Sequence, residues 1–298
     1  MKIYIFLFAI FMAPMLVLAQ DKEKKEPPKD GWTKSGNVSL LFNQAAFNEE
    51  WTGGGTSNYA ANLSLSYDFN YRQDKLTWDN RILCDYGITK NKDEAFARKT
   101  NDRLELNSIV GRQIKDSNWY YSFFANFKTQ FAKGYEFGED VDGNEIRTET
   151  THFLSPGYLQ FGPGFLWKKS DDLKVNIAPA TARLIFVDNA FTTSEGYEDG
   201  DYFGVDQGKS TRFEFGASVS VYAKIELMEN VTAENILNLY SNYLEDPQNI
   251  DIDYTFNLNL KVNKYITSNF IFQAIYDDNA VKGFQIREVL GVGANYKF

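Results

Sequence analysis

Residues 250–263 read Ile-Asp-Ile-Asp-Tyr-Thr-Phe-Asn-Leu-Asn-Leu-Lys-Val-Asn. Apolar and polar side chains alternate without a break. Ile250, Ile252, Tyr254, Phe256, Leu258, Leu260 and Val262 share one face; Asp251, Asp253, Thr255, Asn257, Asn259, Lys261 and Asn263 share the other. A period of two is the mark of a β-strand with one apolar face. Soluble strands run about 5–6 residues, whereas a tilted membrane-crossing strand needs about 9–11. This one has the length to cross.

The same pattern recurs outward from that stretch. Phe213–Leu227 sets Phe213, Phe215, Ala217, Val219, Val221, Ala223, Ile225 and Leu227 against Glu214, Gly216, Ser218, Ser220, Tyr222, Lys224 and Glu226. Tyr59–Tyr71 repeats it, and its far end carries Tyr67, Phe69 and Tyr71, with Tyr296 and Phe298 closing the last strand. Aromatic residues near strand ends fit the interfacial girdles of membrane barrels. The alternation predicts twelve strands, at 36–44, 57–72, 75–89, 101–114, 119–133, 153–168, 173–187, 212–227, 231–244, 250–263, 270–277 and 284–298. The even-numbered connections are short. The odd-numbered ones include every long loop: 45–56, 90–100, 134–152 and 188–211. Short turns on one side and long loops on the other predict an outer-membrane barrel with both ends of the strand array on the periplasmic side. A soluble β-sandwich is the alternative fold. Pro163 and Pro179 fit the sixth and seventh strands poorly, because a closed barrel has no free edge for proline; Gly162-Pro163-Gly164 suggests a bulge there.

The start of the chain reads differently. Lys2 precedes an apolar run, Ile3–Ala19, which Pro14 interrupts and which falls short of the roughly 20 residues of a spanning helix. Residues 1–19 are expected to be a signal peptide cleaved before Gln20. Residues 20–34 are charged, contain Pro27-Pro28 and lack periodicity, so a disordered periplasmic tail is expected. Residues 35–298 are then the barrel domain.

Composition excludes several classes. The 298 residues include 5 Trp, 18 Tyr and 25 Phe, too many for a disordered chain. One cysteine, Cys84, rules out a disulfide scaffold, and one histidine, His152, rules out a His-rich metal site. The net charge of −9 argues against a nucleic-acid partner.

Several local motifs bear a family likeness. Trp51-Thr52-Gly53-Gly54-Gly55 follows the first strand, Trp78-Asp79-Asn80 lies in the third, and Arg98-Lys99-Thr100-Asn101-Asp102-Arg103 opens the fourth. Trp119-Tyr120-Tyr121-Ser122 starts the fifth, which ends Thr129-Gln130-Phe131 before Gly134-Tyr135; Ser155-Pro156 opens the sixth. This set, spread over Trp32–Gly216, resembles the DUF3078 family of Bacteroidetes-type bacteria. The resemblance implies a cell-envelope β-barrel and supplies no catalytic residue.

Four places are candidates for function. The polar face should line a lumen, with Asp79, Arg81, Arg103, Glu105, Lys128, Glu214, Lys261 and Arg287 as lining residues. A ladder Asp79–Arg81–Arg103–Glu105 is expected across neighbouring strands, either bracing a filled lumen or lining a solute path. Twelve strands fall between filled barrels and open channels, and bulky Tyr120, Phe124 and Tyr222 favour filling. His152 and Ser155 could suggest a lipid-active enzyme. At a spacing of three on a strand they face opposite ways, so no catalytic residue is expected. The Glu139–Glu145 stretch is acidic but lacks a full calcium-loop pattern, so a solvated hairpin tip is expected and no metal or cofactor. Trp51, Gly53 and Gly54 could contact a partner or fold over the barrel mouth. The expected partners are outer-membrane lipid and another outer-membrane protein, with small hydrophilic solutes as the channel alternative.

Overall fold

Alternation of this kind leaves each strand with one face for lipid and one for a lumen, and closure into a barrel satisfies every backbone edge at once. A computed structural model describes residues 30–48, 56–277 and 279–298. Among these residues twelve antiparallel strands close into a barrel. They are β1 (Gly31–Ala45), β2 (Asn58–Gln73), β3 (Leu76–Asn91), β4 (Arg98–Gln113), β5 (Trp119–Thr129), β8 (Gly157–Ser170), β9 (Leu173–Phe186), β10 (Thr211–Met228), β11 (Val231–Asn242), β12 (Asp251–Lys261), β13 (Ile266–Asp277) and β14 (Val281–Lys297). Neighbours in sequence are neighbours in the wall, and β14 returns to β1. Between β5 and β8, β6 (Gly134–Glu139) and β7 (Glu145–Thr151) form a separate hairpin. A single helical turn, α1 (Asn189–Thr192), lies in the next long loop, where Asp188 caps it by accepting the Ala190 N–H.

The burial pattern is inverted relative to a soluble protein. Tyr121, Phe123, Phe213, Leu290 and Val292 stand exposed on the outer face. Asp79, Glu105, Lys168, Arg183 and Glu214 are buried inside. This is an outer-membrane-type β-barrel, and the sandwich alternative falls with the closed strand order.

Tight turns close one rim. Asp74-Lys75, Asp171-Asp172 and Glu229-Asn230 each join paired strand ends, and Asp74 and Asn230 take positive φ there. An aromatic collar surrounds this rim. Trp32 packs on Tyr71 and Trp78 at centroid distances of 5.2 and 5.7 Å, and Tyr67 stacks on Phe298 at 6.1 Å. Trp119 lies opposite Trp167 on β8 at the same rim.

Two expectations need correction. The periplasmic tail was expected to run to Lys34, but β1 begins at Gly31, whose neighbours Trp32–Lys34 pair with Tyr71, Asn70 and Phe69. The aromatic collar recruits this charged stretch into the sheet. Residues 1–29, which hold the expected signal peptide, lie outside the described residues, as do Trp51, Gly53 and Gly54. Second, Phe153–Ser155 is not strand: His152 and Ser155 exchange backbone hydrogen bonds in a tight turn with Leu154 at φ 61°. The expected strands through Pro163 and Pro179 and the expected irregularity at Gly162-Pro163-Gly164 are both present. The β8–β9 register skips from Phe161 to Phe165, and the β9–β10 register shifts opposite Pro179. Any Cβ at Gly162 would lie 2.2 Å from the Ala180 carbonyl oxygen, so only glycine permits this approach.

Candidate functional site in the lumen

Strand register decides which charged groups meet. Asp68 on β2 lies opposite Arg81 on β3, and Asp85 on β3 lies opposite Arg103 on β4. Arg81 Nε donates to Asp68 at 2.7 Å, while its Nη1 reaches Glu234 on β11 at 3.2 Å. Five strands separate β3 from β11 in either direction, so this contact spans the barrel along a diameter. Tyr222 completes the strut: it accepts from Arg81 at 3.1 Å, donates to Glu234 at 2.7 Å, and lies under the guanidinium at 4.7 Å.

A second strut joins Lys128 on β5 to Asp253 on β12 at 2.6 Å. Toward the short-turn rim, Asp79 receives Lys168 at 2.6 Å and Lys174 at 3.3 Å. Toward the loops, Arg183 joins Glu214 at 2.5 Å and Asp251 at 2.6 Å, with its guanidinium 4.0 Å over the Tyr240 ring. Charges this buried are tolerated only when paired and hydrogen-bonded; removing one member of such a pair costs about 3–5 kcal/mol.

The expected Asp79–Arg81–Arg103–Glu105 ladder is therefore largely replaced. Arg103 does reach Glu105 at 3.5 Å, but its closer partner is Asp85 at 2.5 Å. Asp79 looks across the lumen to Lys168 and Lys174, and Arg81 pairs both along the wall with Asp68 and across the lumen with Glu234, because opposite walls lie within reach of two long side chains. Lys128 forms a strut, whereas Glu214 pairs with Arg183 on the neighbouring strand. Lys261 lies exposed at the short-turn end of β12. Arg287 sits on β14, with Nη2 at 3.4 Å from Gln273 Oε1.

Sequence reasoning missed Lys168 and Arg183, which lie on the two strands where proline obscured the alternation. Asp68, Asp251 and Asp253 were visible on polar faces, but nothing in one strand tells which distant strand supplies its partner.

Little space remains. Two cavities of about 140 and 340 Å³ adjoin Glu105, Asn107 and Phe124. At the loop end, Ile185, Val187 and Val205 form a buried cluster under Tyr202 and Phe203, and Phe203 lines the larger cavity. Loop 187–210 thus folds inward over the mouth.

The hairpin side is held by polar contacts. Glu145 accepts the Ala95 and Phe96 N–H groups and pairs with Arg98. His152 Nδ1 lies 2.8 Å from Glu149 and Nε2 lies 3.4 Å from Asp188. Ser155 is fully buried, 3.3 Å from the Tyr202 hydroxyl, and accepts the Asp188 N–H. His152 thus faces the Asp188 carboxylate, whereas the Ser155 hydroxyl accepts the Asp188 backbone N–H and faces Tyr202. At the tip, Asp140 accepts the Asp142 and Asn144 N–H groups, and these hydrogen bonds hold its carboxyl below the usual range.

Solved barrels resemble this chain distantly. The translocator domain of autotransporter NalP from Neisseria meningitidis is 7% identical, with 99% of this chain and 96% of that one covered and a TM-score of 0.40. The COG4313 outer membrane channel from Pseudomonas putida F1 is 10% identical, with 93% and 98% covered and a TM-score of 0.38. The outer membrane channel DcaP of Acinetobacter baumannii is 11% identical, with 90% and 96% covered and a TM-score of 0.31. No curated protein matches the sequence. Residues 42–135, from the end of β1 to the start of β6, match the model of the family described as "Protein of unknown function (DUF3078)", and that match takes in Asp68, Asp79, Arg81, Arg103, Glu105 and Lys128 of the lumen.

Proposed function

We propose that this protein is a closed-lumen structural or accessory component of a Gram-negative outer membrane, delivered there by a cleaved signal peptide. It works through its outer wall and loop face, contacting lipid and another outer-membrane protein, and carries no catalytic centre. The observation that supports this most is the Arg81–Glu234 contact across the diameter, reinforced by Lys128–Asp253. A hydrated solute would have to break both pairs and leave Glu234, Lys128 and Asp253 without their ion-pair partners, which an ungated path does not require. His152 is held between Glu149 and Asp188 while the Ser155 hydroxyl is engaged by Tyr202 and the Asp188 N–H, which supports the non-catalytic reading.

Planar-bilayer recording of the refolded full chain tests the proposal. The wild type should show no steady conductance, and Arg81→Ser combined with Lys128→Ser should open one. Steady wild-type conductance that changes with Arg103→Ala would overturn it in favour of a narrow, charge-lined channel for small hydrophilic solutes.

A further inference from the structure

The closing seam of the barrel is incomplete. β1 pairs with β2 over fifteen residues, from Gly31↔Arg72 to Ala45↔Asn58. It pairs with β14 over only six, from Asn37↔Lys297 to Phe42↔Val292. Beyond Val292, β14 continues for eleven more residues with β13 as its neighbour. Gly36 and Phe298 exchange backbone hydrogen bonds, whereas the Asn295 N–H turns to Tyr265 on the β13 side. By alternation, the N–H and C=O groups of Leu290, Glu288 and Ile286 point toward β1 and meet no strand partner among the described residues.

A cavity of about 500 Å³ occupies this gap. Its lining comes from both faces of the wall. Leu41, Asn62, Thr100 and Arg287 belong to the inner side, while Phe42, Ile286, Glu288 and Leu290 belong to the outer side. It is a window between lumen and bilayer.

Three polar atoms of residues that line the window are buried and lack a hydrogen-bond partner among the described residues: Asn62 Oδ1, Thr100 Oγ1 and Arg287 Nε. Asn62 Oδ1 and Thr100 Oγ1 converge over Gly87, where an added Cβ would lie 2.3 and 2.6 Å from them. Arg287 has no ion pair among the described residues. Its nearest acids are already engaged, Asp85 by Arg103 at 2.5 Å and Asp253 by Lys128 at 2.6 Å. Such orphaned groups cost free energy unless a ligand answers them. The set offers one cationic donor and two neutral oxygens, so the complementary ligand carries an anion and a hydrogen-bond donor together, the pair that a phosphate and an ammonium supply.

We propose that the β1–β14 window is a lateral binding site for a zwitterionic amphiphile whose head group bears a phosphate and an ammonium. The phosphate meets Arg287, the guanidinium geometry suiting two of its oxygens. The ammonium donates to Asn62 and Thr100. The chain leaves through the seam and lies along Phe42, Ile286 and Leu290, the last two about two-thirds exposed at 65% each. Glu288, exposed on the bilayer side between Ile286 and Leu290, repels a purely anionic head at the outer rim.

The test is native mass spectrometry of the full chain released from detergent micelles. It is loaded with a single-chain phosphoethanolamine lipid or a phosphoglycerol lipid of equal chain length. The wild type should retain one phosphoethanolamine lipid at least about tenfold more strongly than the phosphoglycerol lipid, the scale of one charge-assisted contact. Arg287→Met, which removes the anion site, and Val289→Trp, which fills the window with Arg287 in place, should each abolish that preference. Heat-modifiable gel mobility identifies folded variants, and the wild-type comparison of the two lipids stands without them. Equal retention of both lipids by the wild type would overturn the proposal, as would unchanged preference in folded Val289→Trp. A conducting wild type would sink the closed-lumen reading and leave this result intact.

Discussion

Arg81 and Arg287 are both arginines on the inner face of a strand, and they live under opposite conditions. Arg81 has Asp68 at 2.7 Å, Glu234 at 3.2 Å and the Tyr222 ring beneath it. Among the described residues, Arg287 has one long contact to Gln273 and a buried Nε without a partner. The lumen around Arg81 is complete in itself, its charges neutralised wall to wall. The seam around Arg287 is left unfinished, in backbone as well as side chain. Where a buried polar group is satisfied internally, it serves the fold; where it is not, it marks a place that answers to something else.

Arg81→Met should produce the largest effect, because it strands Asp68 and Glu234 inside the barrel. Urea unfolding in lipid vesicles should show a loss of about 3–5 kcal/mol. Adding Asp68→Asn and Glu234→Gln should recover much of it, and no recovery would mean that the strut is not electrostatic. Arg287→Met is the sharp contrast. It removes an arginine with no ion pair among the described residues, so stability in the absence of added lipid should stay within about 1 kcal/mol of wild type. A loss as large as that of Arg81→Met would erase the distinction between the two regions.

The smallest effect concerns the loops, which differ from both in being open to water. The hydrogen bond from Lys133, with that of His152, holds the Glu149 carboxyl below its ordinary value of 4.5. A carboxylate depressed in the folded state lends stability above its ordinary pKa and loses it as pH falls through the folded value. Protection factors for hydrogen exchange in the β6–β7 hairpin should therefore be steady from neutral pH down to about 5, and fall below the ordinary carboxylate range. Glu149→Gln should flatten that fall, while the lumen strands stay protected throughout.

The barrel was legible in one dimension because a strand advertises its two faces through a period of two. Ile250–Asn263 alone separates lipid side from lumen side. The short turns followed from Asp74 and Asn230 sitting between paired ends, and the long loops from what was left over. The lumen struts were not legible. Arg81 and Glu234 lie 153 residues apart, and their meeting depends on strand number, tilt and stagger, which no local pattern encodes. The seam was barely legible for a related reason: the alternation of β14 slips at Glu288-Val289, between Ile286 and Leu290, but nothing in that slip says where its partner strand departs.

Four tryptophans of the described residues, Trp32, Trp78, Trp119 and Trp167, sit on the turn-side collar. Their emission therefore comes from one edge of the membrane alone. Lipids brominated at graded depths would quench that light according to how far the collar sits from the bilayer centre. The barrel thus carries its own ruler for immersion, and quencher confined to one leaflet would tell which way up it was inserted.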